Sequence, residues 1–266
     1  AEGAITVFGF ENNAVGSVLD SQSYDDDSGT RTNWAINTAV VGGKTVLLPA
    51  TRYEDQAVVY SLGASGALSG GTEQAGMVGF GLTASVQMGS SVYVYAAKAG
   101  GGLSGYELNS NLGLTQVETI SDSDNSFLGD VSGFASAEVG GNDFLFVVSA
   151  FDAGISSYAI GSNGGLTLAD TVEPGDFSGF SKSQDLLAAE VGGTDFVVMA
   201  AAGTSSLTVY SVGTDGALSE RDHLIDTQET RFQNASVLEG FVWDERQFIV
   251  AAGSDDGISL LELKAT

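Results

Sequence analysis

The chain has one histidine, His223 in "RDHLID", and no cysteine. Any serine–histidine–aspartate arrangement must therefore run through His223. Sites that bind zinc, copper or non-haem iron through several imidazoles or thiolates lack their ligands. No serine sits in a Gly-x-Ser-x-Gly turn, so a strained nucleophile elbow is not written into the sequence. A hydrolytic reading would use carboxylates such as Glu138 or Glu190, with His223 or Arg52 as partner. Glu138 and Glu190 occupy the same place in two copies of one phrase, "AEVGGNDFLFVVSA" and "AEVGGTDFVVMAAA", which start 52 positions apart. Two equivalent residues are expected to share a structural role before a catalytic one.

Two other groups of residues have ligand chemistry. "TRYED" supplies Arg52, Tyr53, Glu54 and Asp55 in a turn where the other repeats carry "KAGGG", "FDAG", "GTSS" and "GSDDG". Departure from a repeat is where a binding function can be grafted, and an exposed, self-satisfied ion pair is the plainer reading. The acidic stretches "YDDDSG" (Asp25, Asp26, Asp27) and "SDSDNS" (Asp122, Asp124, Asn125) offer oxygen ligands for a hard cation such as calcium, with Asp176 and Asp226 in the analogous loops. Counting from Asp122, the EF-hand glycine position is Phe127, so no EF-hand is present. Solvated loops that keep the particle soluble are the alternative. No cofactor other than calcium is expected. "AGGGL" lacks the following helix of a phosphate cradle and reads as a turn. The recurring aromatics Trp34, Phe80, Phe127, Phe134, Phe177, Phe180 and Phe232 read as wedges between repeats.

The elements that must position these residues are strands. "ITVFGF", "AVVYSL", "LSGYEL", "ISSYAI", "LTVYSV" and "ISLLEL" follow one another at offsets of 52, 46, 52, 52 and 51. A period near 50 with alternation inside each copy marks a radial or stacked β array, because one copy cannot bury both of its own faces. Within a copy, "FASAEV" reads as a first strand and Gly140-Gly141 as a tight turn. "FLFVVSA", "ISSYAI" and "LTLADTV" supply the second, third and fourth strands, the last two joined by "GSNGG". Helix signals are nearly absent among 37 glycines. The expected fold is an all-β propeller of four-stranded antiparallel blades. Five blades are favoured, with six, two of them incomplete, as the alternative. Residues 1–266 form one domain in this reading, its last blade shared between N- and C-terminal strands.

Thirty-four acidic against nine basic residues leave a formal charge of −25. Such a particle repels phosphate backbones and anionic lipid surfaces, so nucleic acid and membrane insertion are not expected. The acidic, lysine-poor composition suits a saline exterior. The opening "AEGAIT", without methionine, looks like a processed mature end, which places the protein outside the cell or in the periplasm.

The "AEVGG-DF-F" phrase and the strand followed by Gly-x-Leu-Thr resemble the lactonase-type repeat. That repeat builds six-phosphogluconolactonase-like bacterial propellers and secreted, calcium-associated proteins of marine bacteria. The resemblance implies a propeller over nearly the whole chain, whereas better known members have seven blades and function need not travel with fold. The expected role is an exported, non-catalytic binding or scaffold module for a small ligand, a carbohydrate or a protein, with calcium as a stiffener. The alternatives are a lactonase-like hydrolase and a subunit of an extracellular assembly that self-associates through its terminal strands.

Overall fold

The computed structural model describes residues 3–24, 33–51, 56–75, 80–173 and 181–265. Among these every element is a β-strand, and no helix is long and apolar enough to cross a membrane. The chain belongs to the β-propeller class, with five antiparallel blades. The strands divide between two compact units, one of residues 1–99 and 103–119, the other of 100–102 and 120–266.

The first unit opens with a two-stranded sheet, β1 (Gly3–Glu11) and β2 (Ala14–Tyr24). Two four-stranded blades follow. One is β3 (Asn33–Val41), β4 (Lys44–Thr51), β5 (Gln56–Leu62) and β6 (Leu68–Ala75); the other is β7 (Phe80–Met88), β8 (Ser91–Lys98), β9 (Leu103–Leu108) and β10 (Leu114–Ile120).

The second unit has two complete blades. These are β11 (Val131–Val139), β12 (Asn142–Ser149), β13 (Ile155–Ile160) and β14 (Leu166–Val172), then β15 (Ser183–Val191), β16 (Thr194–Ala201), β17 (Ser206–Val212) and β18 (Leu218–Ile225). The last sheet has three strands, β19 (Val237–Trp243), β20 (Arg246–Ala252) and β21 (Ile258–Leu263). Since β1 pairs with β2 in a sheet of their own, a blade shared by the two ends of the chain is not among the ladders of the described residues.

The strand assignments follow the repeat. Gly140 and Gly141 turn between β11 and β12 with φ of 59° and 84°, the left-handed pair of a two-residue hairpin. Asp244 and Glu245 take the same conformation between β19 and β20 without glycine, at φ of 52° and 58°. The second strands are apolar on both faces because both are covered. Phe144, Phe146 and Val148 of β12 pack with Leu186, Val197, Met199 and Tyr210 of the next blade. Phe196, Val198 and Ala200 face the other way and pack with Leu238, Ile249, Ala251 and Leu263. In the first unit Val46 and Leu48 meet Val92, Val94 and Ala96 in the same manner. Each blade therefore contributes two apolar faces and finds its core only against a neighbour.

Candidate functional site

The acidic loops are built as backbone clamps. Asp122 accepts the Leu128 N–H through Oδ1 at 2.9 Å, and Asp226 accepts the Phe232 N–H at 3.2 Å, six residues on in both cases. The residue after each acid donates its N–H to a hydroxyl three positions later, Ser123 to Ser126 and Thr227 to Thr230. Both clamps drive a side chain fully out of water, Leu128 or Phe232. The first loop is also tied to its blade, because the Ser126 carbonyl accepts the Ser156 hydroxyl at 2.6 Å. The Tyr158 hydroxyl lies 3.4 Å from the same carbonyl, and burial pushes its pKa up to about 12. Asp122 thus uses one of its two oxygens on its own loop, and Asp124 stands exposed. Among the described residues no three His, Cys, Asp or Glu side chains come close enough to hold a metal ion. The other predicted ligands, Asp25, Asp26, Asp27, Arg52, Tyr53, Glu54 and Asp55, lie outside the described residues, as do Asp176, Phe177 and Phe180.

A second set of acids clips blade to blade. Asp20 of β2 accepts the Leu68 N–H at the start of β6 at 2.7 Å, and Asp170 of β14 accepts the Leu218 N–H at the start of β18 at 2.7 Å. The separation is 48 residues both times. The Leu68 N–H, foremost, holds the Asp20 carboxyl below its ordinary range. Strand β2 is therefore a fourth strand by function as well as by sequence. Its cross-strand partner for Asp20 is Val7, and the partner of Asp170 is Ser157, so β1 stands where a third strand stands. On the first strands Asp185 reaches the Leu238 N–H of β19 at 2.8 Å and its neighbour's, Leu186, at 2.9 Å. Burial dominates those two bonds and raises its pKa to about 6. The spacing of these acids was in the sequence, but the partner of each is a main-chain N–H, which carries no residue-type signal.

The residues of the hydrolytic reading remain apart. Glu190 pairs across β15 and β16 with Asp195, and Glu138 across β11 and β12 with Asp143. Asp143 and Asp195 are both shifted up, by burial first and then by the adjacent glutamate. His223 is on β18, three strands away from Glu190, or roughly 14 Å across the sheet at about 4.8 Å per strand, and the register sets it level with Leu186, further along the strand from Glu190. Its Nδ1 lies 2.9 Å from the hydroxyl of Thr208, its cross-strand partner on β17. No base, acid and nucleophile are brought together by these three positions.

The concavity the sequence did not announce lies in the second unit. A slot of about 540 Å³ opens beside β21, floored by Phe196, Val198, Leu207 and Val209 of one blade and walled by Ile249, Leu261 and Leu263 of the last. Arg221, Asp222, Glu262 and Lys264 stand at its rim. Glu262 also takes Arg246 and Lys264 as ion-pair partners, and the Arg246 hydrogen bond chiefly holds its carboxyl down at about 2. Among the described residues the last sheet has three strands, so β18, the outermost strand of the preceding blade, meets no fourth strand there and the slot stays open.

Comparisons with known proteins place the fold. The chain is similar to the periplasmic gluconolactonase of Pseudomonas aeruginosa at a TM-score of 0.66 and 13% identity, over 97% of this chain and 66% of that one. It is similar to a protein from Lactobacillus plantarum at 0.60 and 13% identity, covering 99% and 83%. It also resembles BBS1N, solved in complex with ARL6DN, at 0.65 and 11% identity, covering 99% and 74%. The chain thus spans about two thirds of the gluconolactonase's length. No protein-family model matches, and no curated protein matches by sequence. At such identities the likeness shows the propeller fold, with a gluconolactonase among the neighbours, and an enzyme and a partner-bound protein share it equally.

Proposed function

We propose that the protein is an exported, non-catalytic propeller that acts as a binding or scaffold module, and that the slot beside β21 is its binding surface. The observation that carries this reading is the slot itself. It is a concavity among the described residues that is apolar on its floor with charges of both signs at its rim, which is the lining of a binding groove. Asp122, Asp170 and Asp185 are occupied with backbone N–H groups and His223 with Thr208, while Glu138 and Glu190 face the carboxylates of Asp143 and Asp195 rather than a nucleophile. Export is supported by the periplasmic setting of the gluconolactonase fold neighbour. The surface charge disfavours nucleic acid and anionic bilayers as partners and leaves a small ligand, a carbohydrate or a protein.

The fold neighbour also motivates the rival reading, a lactonase-like hydrolase. A panel of sugar lactones and simple esters separates the two. No turnover above buffer is expected; turnover that disappears in Glu190→Gln or His223→Ala overturns the binding reading. Calcium belongs to the proposal as a stiffener of acidic loops. It requires a rise in melting temperature with millimolar Ca²⁺ that equal Mg²⁺ does not produce, and equal responses to both ions remove calcium from it.

A further inference from the structure

The geometry points to one occupant for the slot: strand β2 of a second copy of this chain, laid against β21 as the missing fourth strand. This rests on the reading of the slot as a binding surface and names its partner.

The repeat supplies the argument. In the first strands of the hairpins, Ile5, Ile155, Leu207 and Ile258 occupy one position, so β21 is the same element as β1, a third strand. Among the described residues strand β21 is paired on one edge only, to β20. Its other edge presents unpaired backbone groups with Ile258 and Leu260 exposed at 67% and 58%, and such an edge templates an added strand. The fourth-strand acid in front of it is also waiting. Asp170 spends one oxygen on the next residue's N–H, Thr171, and the other on Leu218 in the following blade. Asp222 stands 52 residues further on, with Oδ1 likewise on the N–H of His223, and among the described residues no fourth strand faces its second oxygen.

The same chain has the strand that fits. From Ile5 to Asp20 the spacing is 15 residues, as it is from Ile155 to Asp170 and from Leu207 to Asp222. Strand β2 already behaves as a fourth strand toward β6 through Asp20. The tip of its hairpin is bare, with Phe10, Val15 and Val18 exposed at 73%, 71% and 55%, while Ile5 at its base packs with Leu47, Tyr60 and Leu68. Bare apolar surface on the donor and a bare apolar slot on the acceptor, in different parts of one chain, define a heterologous contact between copies.

The register follows from the present β1–β2 ladder, in which Ile5 faces Gln22, Val7 faces Asp20 and Phe8 faces Val18. With β21 in the place of β1, Ile258 faces Gln22, Leu260 faces Asp20 and Leu261 faces Val18 of the second copy. Gly16 then falls where Leu218 stands, four residues before the acid, and its N–H meets the free oxygen of Asp222. The donor keeps its own Asp20–Leu68 clip, and β1 is released from the pair.

The test uses the absence of native cysteine. Gln22→Cys and Ile258→Cys are made separately and mixed under mild oxidation, since directly opposed residues at about 5.5 Å between Cα atoms suit a disulfide. A covalent dimer from the mixture, absent from either variant alone, is expected, together with a scattering mass that climbs with concentration in the unmodified protein. A peptide of residues 14–24 should suppress both. Two results overturn the proposal: a monomeric mass at every concentration with no cross-link in the mixture, or a double variant that closes only within single chains, which would seat the hairpin in its own slot. Leu260→Pro, which removes an edge N–H, should lower association at least tenfold with the melting temperature unchanged; undiminished association also overturns it. The lactone panel is indifferent to all of these outcomes.

Discussion

The second unit contains two blade-to-blade contacts that differ in one strand. Between the blades β11–β14 and β15–β18 four strands face four, and the contact is sealed from Phe144 and Phe146 out to Leu218. Between β15–β18 and β19–β21 four strands face three, and the apolar floor continues past the last strand into open slot. The second strand of the last blade, β20, still carries a buried run at Gln247, Phe248, Ile249 and Ala251, whereas its first strand, β19, is exposed at six of seven residues, so the two contacts differ at the inner strand as well as at the rim. A blade of this fold is completed in stages, with inner strands supplying core and the fourth strand supplying closure.

The largest expected effect tests that division. Phe146 is fully buried in the four-against-four contact. Phe146→Ala should cost about 3–5 kcal/mol in urea unfolding through cavity and lost transfer energy. Leu260→Ala, on the unpaired edge of β21, should stay within about 0.5 kcal/mol at concentrations where the protein is monomeric. Comparable losses at both positions would mean that the rim of the last blade is already covered.

The next effect is a matter of pH. On the first strands the complete contact uses Gly133, where an added Cβ would come within 2.9 Å of the Asp185 Cα, so a side chain has no room. The incomplete contact carries Asp185 at the equivalent place, reaching Leu238. Burial raises that carboxyl to about 6, above the roughly 3.9 of an unfolded aspartate. Between those values the folded state holds the proton that the unfolded state releases. Stability is therefore fullest below about pH 4 and falls as pH rises to about 6, by about 2–3 kcal/mol from this group alone. Asp185→Asn should flatten that part of the stability profile. An unchanged slope in the variant would assign the pH dependence to other acids.

The fold was legible in the sequence because its signals are periodic. Strand alternation recurs from copy to copy, the glycine pair of the first turn recurs at Gly42-Gly43, Gly140-Gly141 and Gly192-Gly193, and the offset stays between 46 and 52 residues. Asp122 and Asp226 were legible as a pair of acidic loops, whereas their chemistry was not. An acid followed by a hydroxyl residue, two others, a hydroxyl residue and an apolar residue two further on encodes a clamp on its own N–H groups. Read by charge alone it suggests a cation. The slot was least legible of all, since a missing strand leaves no residues to read; only the count of strands, three where the repeat calls for four, pointed to it.

The smallest effect is the sharpest comparison, because it concerns one residue type in one place. Asp170 and Asp222 each accept the N–H of the following residue, and only Asp170 has a second N–H, that of Leu218, at 2.7 Å. A hydrogen bond to a charged acceptor is worth about 1.5–3 kcal/mol, so Asp170→Ala should cost about 1.5 kcal/mol at any protein concentration. Asp222→Ala should leave the isolated chain within about 0.5 kcal/mol of the parent, and should weaken self-association instead. The two variants therefore separate by observable: unfolding midpoint for Asp170, scattering mass for Asp222. If Asp222→Ala moved the midpoint as far as Asp170→Ala without touching the mass, its second oxygen would be in use within the chain, and the fourth-strand position beside β21 would already be filled from inside.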